Sequence, residues 1–187
     1  KTYTSALIMA LANEGKLDLD TRVSTILPKV RIAGRATVRQ LLDHTSGLPD
    51  YFLNGKIDRA LFEDRAREWT TRDSFRYVGK PIFPAGKGWY YSNTNYVLLA
   101  LIAEAVDDRP LSEQLRSRFL EPLGLDHTYE QIDERPEGPI ARGYRVTGSV
   151  SRPVYTDLSD GSKVVPFTSV VTAAPGAGSM AASSTDV

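Results

Sequence analysis

The sequence predicts an α/β fold of the α+β type that is mostly helical and carries one small β-hairpin. Three observations support this class. Apolar residues recur at helical spacing over residues 2–14. A second stretch, residues 94–106, is apolar nearly all round, as a central buried helix would be. Two short β-prone stretches, residues 140–146 and 151–156, flank a turn expected at Gly148.

Composition narrows the class of protein. The chain has 187 residues, 41% hydrophobic and 25% charged, which is typical of one globular domain. Lys+Arg and Asp+Glu both number 23, and this balance argues against a nucleic-acid-binding surface. The absence of cysteine excludes disulfides, thiolate metal sites and a cysteine nucleophile. No apolar run approaches the roughly 20 residues of a membrane span.

The N-terminal half predicts short helices separated by turns. Tyr3, Leu7 and Leu11 lie on one helical face, and Gly15 is expected to end the first helix. Thr37-Val-Arg-Gln40 has the pattern of a capping box that opens the next clear helix. Two modest helices are then expected, over residues 58–69 and 72–78.

In the C-terminal half, Ser92 or Asn93 is expected to cap the buried helix. An amphipathic helix follows Pro110 and is stopped near Pro122. The chain begins directly at a helix start and ends on SSTDV, which resembles the opening of another helix. We therefore expect one domain over residues 1–187 that is incomplete at both ends.

The two histidines, His44 and His127, do not form a recognisable catalytic or metal site. Asp43 and Ser46 lie so near His44 in the chain that these three side chains cannot form a triad among themselves. His44 is therefore predicted to be a loop histidine that hydrogen-bonds to backbone groups, and His127 to be a surface or loop-packing histidine. No HExxH spacing is present, so we expect neither a metal nor a cofactor.

Lys1 is the first candidate for chemistry. A buried ammonium is expensive to keep charged, and a neutral amine is a competent base. A serine three residues earlier would share its helical face, which gives the S-x-x-K arrangement. A lysine before a helix is, taken alone, most often a solvated surface residue.

Tyr91 and Asn93 are the second candidates, because they stand between a Pro/Gly loop and the buried helix. Near ammonium groups a phenol can exchange its proton as acid or base. An asparagine carboxamide can orient both a lysine and a substrate amide. The alternative for this stretch is aromatic packing followed by a helix cap.

Taken together, the motifs are specific. Lys1 opens K-T-Y-T, LLDHTSGLPDY follows at residues 41–51, and FPAGKGWYYSNTNY at residues 83–96. The motifs P-L-G-L, at residues 122–125, and A-G-S-M-A-A-S, at residues 177–183, follow later in the chain. This combination resembles the serine β-lactamase-like family, which includes class C β-lactamases, D-alanyl-D-alanine carboxypeptidases and esterases. The resemblance implies a β-lactamase/transpeptidase-like fold, with a helical region against an antiparallel sheet.

The resemblance also implies the site residues. Lys1 matches the lysine of S-x-x-K, and Tyr91 and Asn93 match Y-x-N. Ser92 is the variable middle residue, Tyr90 is expected to pack, and PGAGS at residues 175–179 to form a tight turn. The S-x-x-K serine would precede Lys1, and the K-T-G or H-x-G strand would follow the last residue. We therefore expect the isolated 187-residue chain to be inactive.

For the intact parent, the resemblance implies a serine hydrolase that forms an acyl-enzyme on β-lactam, D-amino-acid peptide or ester carbonyls. Its partner would be a small-molecule or peptide substrate, with the missing segments of the protein as further partners if they are separate chains. A periplasmic or secreted location is favoured. The alternative is a catalytically dead relative that binds peptides. A helical interaction domain without a cleft would instead place Tyr91 and Asn93 far from Lys1.

Overall fold

The computed structural model describes all residues, 1–187, and its architecture is mostly helical with two small antiparallel sheets. The α-helices are α1 Thr2–Asn13, α2 Val23–Ile26, α3 Val38–Leu42, α4 Ile57–Glu63, α5 Thr71–Phe75, α6 Asn93–Asp107, α7 Leu111–Leu115 and α8 Thr168–Thr172. The strands are β1 Thr128–Glu130, β2 Tyr144–Ser149, β3 Arg152–Asp157 and β4 Met180–Ala182. None of the helices is both long enough and apolar enough to cross a bilayer.

Helix α6 forms the centre of the core. Its residues from Thr94 to Ala100 are all buried, because α1 and α3 pack directly against it. Leu7 and Leu11 of α1 are fully buried in the same cluster. The expected central apolar helix is therefore present, and its first residue, Asn93, lies at the edge of the core.

The helix caps explain where several elements begin. The capping box at α3 is confirmed: the Gln40 backbone N–H donates to Thr37 Oγ1 at 3.3 Å, and the Thr37 N–H donates to Gln40 Oε1 at 3.1 Å. Helix α1 ends just before Gly15, which adopts a φ of 70°. These two hydrogen bonds fix the start of α3.

Helices α4 and α5 are shorter than expected. The Thr70 and Asp73 side chains form a second capping box, which opens α5 at Thr71. Trp69 does not extend α4, since its N–H donates to Thr172 Oγ1 at 2.9 Å. A tertiary hydrogen bond therefore replaces the helical pairing that local sequence favours in this segment.

The hairpin is present, but the sequence placed its turn wrongly. Strands β2 and β3 pair antiparallel from Tyr144 opposite Asp157 to Ser149 opposite Arg152, so the turn lies at Val150 and Ser151. Gly148 lies inside β2 with a φ of 87°, opposite Pro153. Gly148 therefore has its positive φ inside the strand and not in the turn, and glycine adopts such a φ without strain.

A second sheet was not predicted. Strand β1 pairs antiparallel with β4 in a register that sets Thr128 opposite Ala182 and Glu130 opposite Met180. Each strand has only three residues, which is too short for an alternating pattern to stand out in the sequence. This sheet closes the chain back onto the segment that follows α7.

Candidate active site

The Lys1 side chain joins three parts of the chain that are distant in sequence. From the start of α1, its Nζ donates to Asn93 Oδ1 at 2.6 Å and to the Ala177 carbonyl oxygen at 2.6 Å. Asn93 is the first residue of α6. The turn that carries Ala177 is itself held to α1, since Thr4 Oγ1 donates to the Gly176 carbonyl at 2.7 Å.

These two contacts suit a lysine that acts as a base. A neutral amine has two N–H bonds and one lone pair. When Lys1 is in its neutral form, two carbonyl-type acceptors can occupy both of its N–H bonds, and its lone pair is directed elsewhere. The arrangement can receive a proton from a hydroxyl placed beside the amine.

Tyr91 lies beside Lys1 and is 45% exposed. The Lys1 Nζ is 5.4 Å from the centre of the Tyr91 ring, within the range of a cation–π contact. The other support of this ring is His44, whose centroid is 4.6 Å away at an interplanar angle of 31°. The phenol is therefore fixed by its ring while a large part of the side chain faces solvent.

His44 has a structural position behind Tyr91. Its Nδ1 lies 3.1 Å from the Ser92 backbone N–H and 3.1 Å from Asn95 Nδ2. Because a backbone N–H can only donate, Nδ1 is the acceptor and the ring proton of neutral His44 is on Nε2. Burial, and then the charge of Lys1, lower the pKa of His44.

The predicted role of His44 in binding backbone is confirmed by this contact. Ser46 does not complete a triad with it, because Ser46 Oγ donates to Asn95 Oδ1 at 2.7 Å. Asp43 is occupied by Thr45, whose N–H and hydroxyl both donate to Asp43 Oδ1. His127 is exposed beside β1, as expected for a surface histidine.

The structure brings Lys1, Tyr91 and Asn93 into one site. The hypothesis of a helical interaction domain is wrong, because it requires these side chains to lie apart. Ser92 is fully buried at the N-cap of α6, but its hydroxyl has no hydrogen-bond partner, so it does not cap the helix through its side chain. Tyr90 is half-buried next to it, and its N–H donates to the His44 carbonyl.

Two further members of the site were missed from the sequence. The first is the carbonyl of Ala177, which no sequence pattern can report because every residue has one. The second is Asp50, whose Oδ2 accepts from Asn93 Nδ2 at 2.6 Å. An acidic residue inside the turn-rich LPDY stretch was the available signal for Asp50.

Comparison with known proteins decides the family. The sequence model described as Beta-lactamase matches residues 1–187. The chain belongs to the Beta-lactamase family. Membership of this family agrees with the β-lactamase/transpeptidase-like fold implied by the motifs, and with the mostly helical structure.

Curated relatives of this Beta-lactamase family chain include penicillin-binding proteins. Penicillin-binding protein 4* of Bacillus subtilis (strain 168) is 31% identical over 132 residues, covering 68% of this chain and 28% of the relative. Penicillin-binding protein 4 of Amycolatopsis lactamdurans is 33% identical over 139 residues, covering 72% of this chain and 35% of the relative. The chain thus spans about a third of the length of these relatives.

Solved structures of the same fold include an amidohydrolase and an amidase. A D-stereospecific amidohydrolase from Streptomyces sp. superposes with a TM-score of 0.82 at 30% identity, covering 100% of this chain and 56% of that one. D-amino acid amidase from Ochrobactrum anthropi SV3, complexed with L-phenylalanine amide, superposes with a TM-score of 0.75 at 30% identity. The match covers 98% of this chain and 50% of the amidase chain. The matched region is therefore about half of each of these proteins.

Proposed function

We propose that the protein containing this chain is a serine hydrolase that works through an acyl-enzyme, with Lys1, Tyr91 and Asn93 as catalytic residues. One observation carries the proposal. The Lys1 amine, at the start of α1, donates to two acceptors and lies beside the partly exposed phenol of Tyr91. A serine three residues before Lys1 would lie on the same helical face as that amine.

In the proposed reaction the serine Oγ attacks the substrate carbonyl carbon while its proton passes to Lys1. The tetrahedral intermediate collapses to an acyl-enzyme, and Tyr91 delivers a proton to the leaving group. A water molecule then attacks the acyl carbonyl carbon and gives a proton to the Tyr91 phenolate. The second tetrahedral intermediate expels the serine Oγ, which takes its proton back from Lys1, and the acid is released. Asn93 holds the amine through Oδ1, which keeps the lone pair aligned with the hydroxyl.

The substrate class is an acyl carbonyl that such a site can attack: a β-lactam, a D-amino-acid peptide or amide, or an ester. The names of the relatives favour testing D-amino-acid amides and peptides alongside β-lactams. A cell-wall peptide substrate would require a periplasmic or secreted protein, and we propose that location on the same basis. The isolated 187-residue chain, without the S-x-x-K serine, is proposed to be inactive.

The test uses the full-length protein that includes residues 1–187. It is challenged with a fluorophosphonate probe, a chromogenic cephalosporin, a p-nitrophenyl ester, a D-Ala-D-Ala peptide and a D-amino-acid amide. We expect covalent labelling at the residue three positions before Lys1 and turnover of at least one substrate. Failure of every probe and substrate with folded protein would refute the hydrolase. Binding of the peptide without turnover would instead indicate the catalytically dead relative.

A further inference from the structure

Asp50 is joined to the catalytic amine through one carboxamide. Its Oδ2 accepts from Asn93 Nδ2 at 2.6 Å, and Asn93 Oδ1 accepts from Lys1 Nζ at 2.6 Å. The Asp50 side chain is buried, with 8% exposure, and its other oxygen, Oδ1, accepts from the Phe52 N–H at 3.0 Å. Both carboxylate oxygens therefore have fixed partners.

The chemistry of the two end groups determines which way the Asn93 amide faces. A carboxylate only accepts hydrogen bonds and an ammonium or amine N–H only donates, so the amide nitrogen must face Asp50 and the amide oxygen must face Lys1. Short hydrogen bonds to charged groups are also the stronger ones. A rotation of the amide by half a turn would set donor against donor at Lys1.

We propose that Asp50 is a positioning residue of the hydrolase, which locks the Asn93 carboxamide in the one orientation that can hold Lys1 for proton transfer. The inference rests on the proposed function. It adds a role in catalysis for a residue that lies outside the S-x-x-K and Y-x-N motifs. It also leaves the second N–H of Asn93 Nδ2 free to donate to the substrate.

The sharpest variant is Asp50→Asn, which preserves shape. If the new carboxamide keeps its oxygen on the Phe52 N–H, its NH₂ group faces Asn93, which must then turn and present its own NH₂ to Lys1. Since misplacement of a catalytic group by about 1 Å can cost on the order of 100-fold, we expect kcat/KM to fall about 10- to 100-fold, chiefly through kcat. Asp50→Ser, which keeps an acceptor for the Phe52 N–H but cannot reach Asn93, should lose as much.

The control is Asp73→Asn. The Asp73 carboxylate, like that of Asp50, accepts a hydrogen bond from a nearby backbone N–H, that of Thr70 at the start of α5, but it does not contact Asn93. This variant should stay within twofold of wild type. Active sites are counted by fluorophosphonate titration, so that a smaller folded fraction is not mistaken for a lower kcat.

A double-mutant cycle separates positioning from a general structural effect. If Asp50 acts through Asn93, Asp50→Asn should change kcat/KM less than twofold in an Asn93→Ala background. The Asn93 side-chain amide protons should also exchange more slowly than those of exposed Asn13, and Asp50→Asn should abolish that protection.

Three results would overturn the inference. These are an Asp50→Asn protein within twofold of wild type, an equal loss in the Asn93→Ala background, or unprotected Asn93 amide protons in the wild type. A wild-type protein that is inactive with every probe overturns the proposed function, and the role of Asp50 with it. An active wild type that is insensitive to Asp50→Asn overturns the role of Asp50 alone.

Discussion

The Lys1 amine and the Asn93 carboxamide oxygen lie 2.6 Å apart although 92 positions separate them in the chain. This contact joins the start of α1 to the start of α6, the two helices that pack together in the core. The geometry of the site is therefore set by the packing of the two helices, and the predictions below address the parts of that arrangement in turn.

Lys1→Arg should strongly lower turnover in the full-length protein while leaving the fold intact. Arginine keeps the positive charge but does not lose its proton in proteins, so it cannot serve as the base. General base catalysis is worth about 100- to 10,000-fold, and kcat should fall by that order. Lys16→Arg is the matched control, since exposed Lys16 binds Asp107 and Glu14 beyond the far end of α1 from the site. Equal activity of both variants would contradict a base role for Lys1.

Tyr91→Phe should lower kcat by a similar order, about 100- to 10,000-fold, with little change in Tm. The ring contacts with His44 and Lys1 remain, and only the hydroxyl is removed. Tyr155→Phe, on the exposed hairpin, is the control and should behave as wild type. Steady-state kinetics and thermal melts of the three proteins decide the matter. A Tyr91→Phe enzyme with normal kcat would remove the phenol from the mechanism.

Gly176→Ala should damage both stability and activity. Gly176 has a φ of 65°, and an added Cβ would lie 2.8 Å from the Ala100 Cβ and 3.1 Å from the Tyr96 carbonyl oxygen. Overpacking of this kind costs about 1–3 kcal/mol, and the turn must shift, moving the Ala177 carbonyl away from Lys1.

Gly161→Ala provides the comparison for that variant. Gly161 also has a positive φ, of 86°, but a Cβ there meets no atom within 4 Å. It should show the backbone cost alone and keep normal activity. Urea unfolding and kcat are measured for both variants. If the two substitutions were indistinguishable, close packing of the 175–178 turn against α6 would not be what holds the Ala177 carbonyl in place.

Glu130 should make stability fall between pH 4.5 and about 7. It is fully buried, Oε1 has no partner, and burial raises its pKa from 4.5 to about 7. Below pH 4.5 the carboxyl is protonated in both the folded and unfolded states. As pH rises further the unfolded state releases the proton first, so the free energy of unfolding decreases, by at most about 3 kcal/mol.

Glu130→Gln should remove this pH dependence. Its free energy of unfolding relative to wild type should therefore be higher at pH 8 than at pH 5. Urea unfolding at the two pH values measures the difference, and Glu137→Gln, at an exposed position, controls for loss of a surface charge. If the free energies of unfolding of wild type and Glu130→Gln changed in parallel with pH, Glu130 would not be the source of the pH dependence.

The sequence anticipated the elements that local patterns determine. The α3 capping box and the buried α6 follow from spacing and residue type, and the structure has both. The motifs also identified Lys1, Tyr91 and Asn93, which lie together. Residues whose importance depends on a distant partner were missed, because neither Asp50 nor the Ala177 carbonyl differs locally from an ordinary turn residue or peptide group.

The errors have the same origin. Glycine is a usual turn residue, so the sequence predicts the hairpin turn at Gly148, yet the strand register puts the reversal at Val150 and Ser151. The local sequence predicts that α4 extends to Trp69, whereas in the structure the Trp69 N–H donates to Thr172 Oγ1. Tertiary pairing overrides local preference at both places, and a single sequence carries little trace of it.

The hydrogen bonds from Ser92 and Asn95 to His44 couple the 44–51 loop to the loop that carries Tyr91. The contacting residues lie more than forty positions apart in the chain, but these hydrogen bonds hold the two segments side by side. Anyone who transplants the Tyr91–Asn93 segment between relatives to alter substrate preference would therefore have to transplant the histidine loop with it. Exchanging one without the other would leave a buried imidazole and a helix start mismatched.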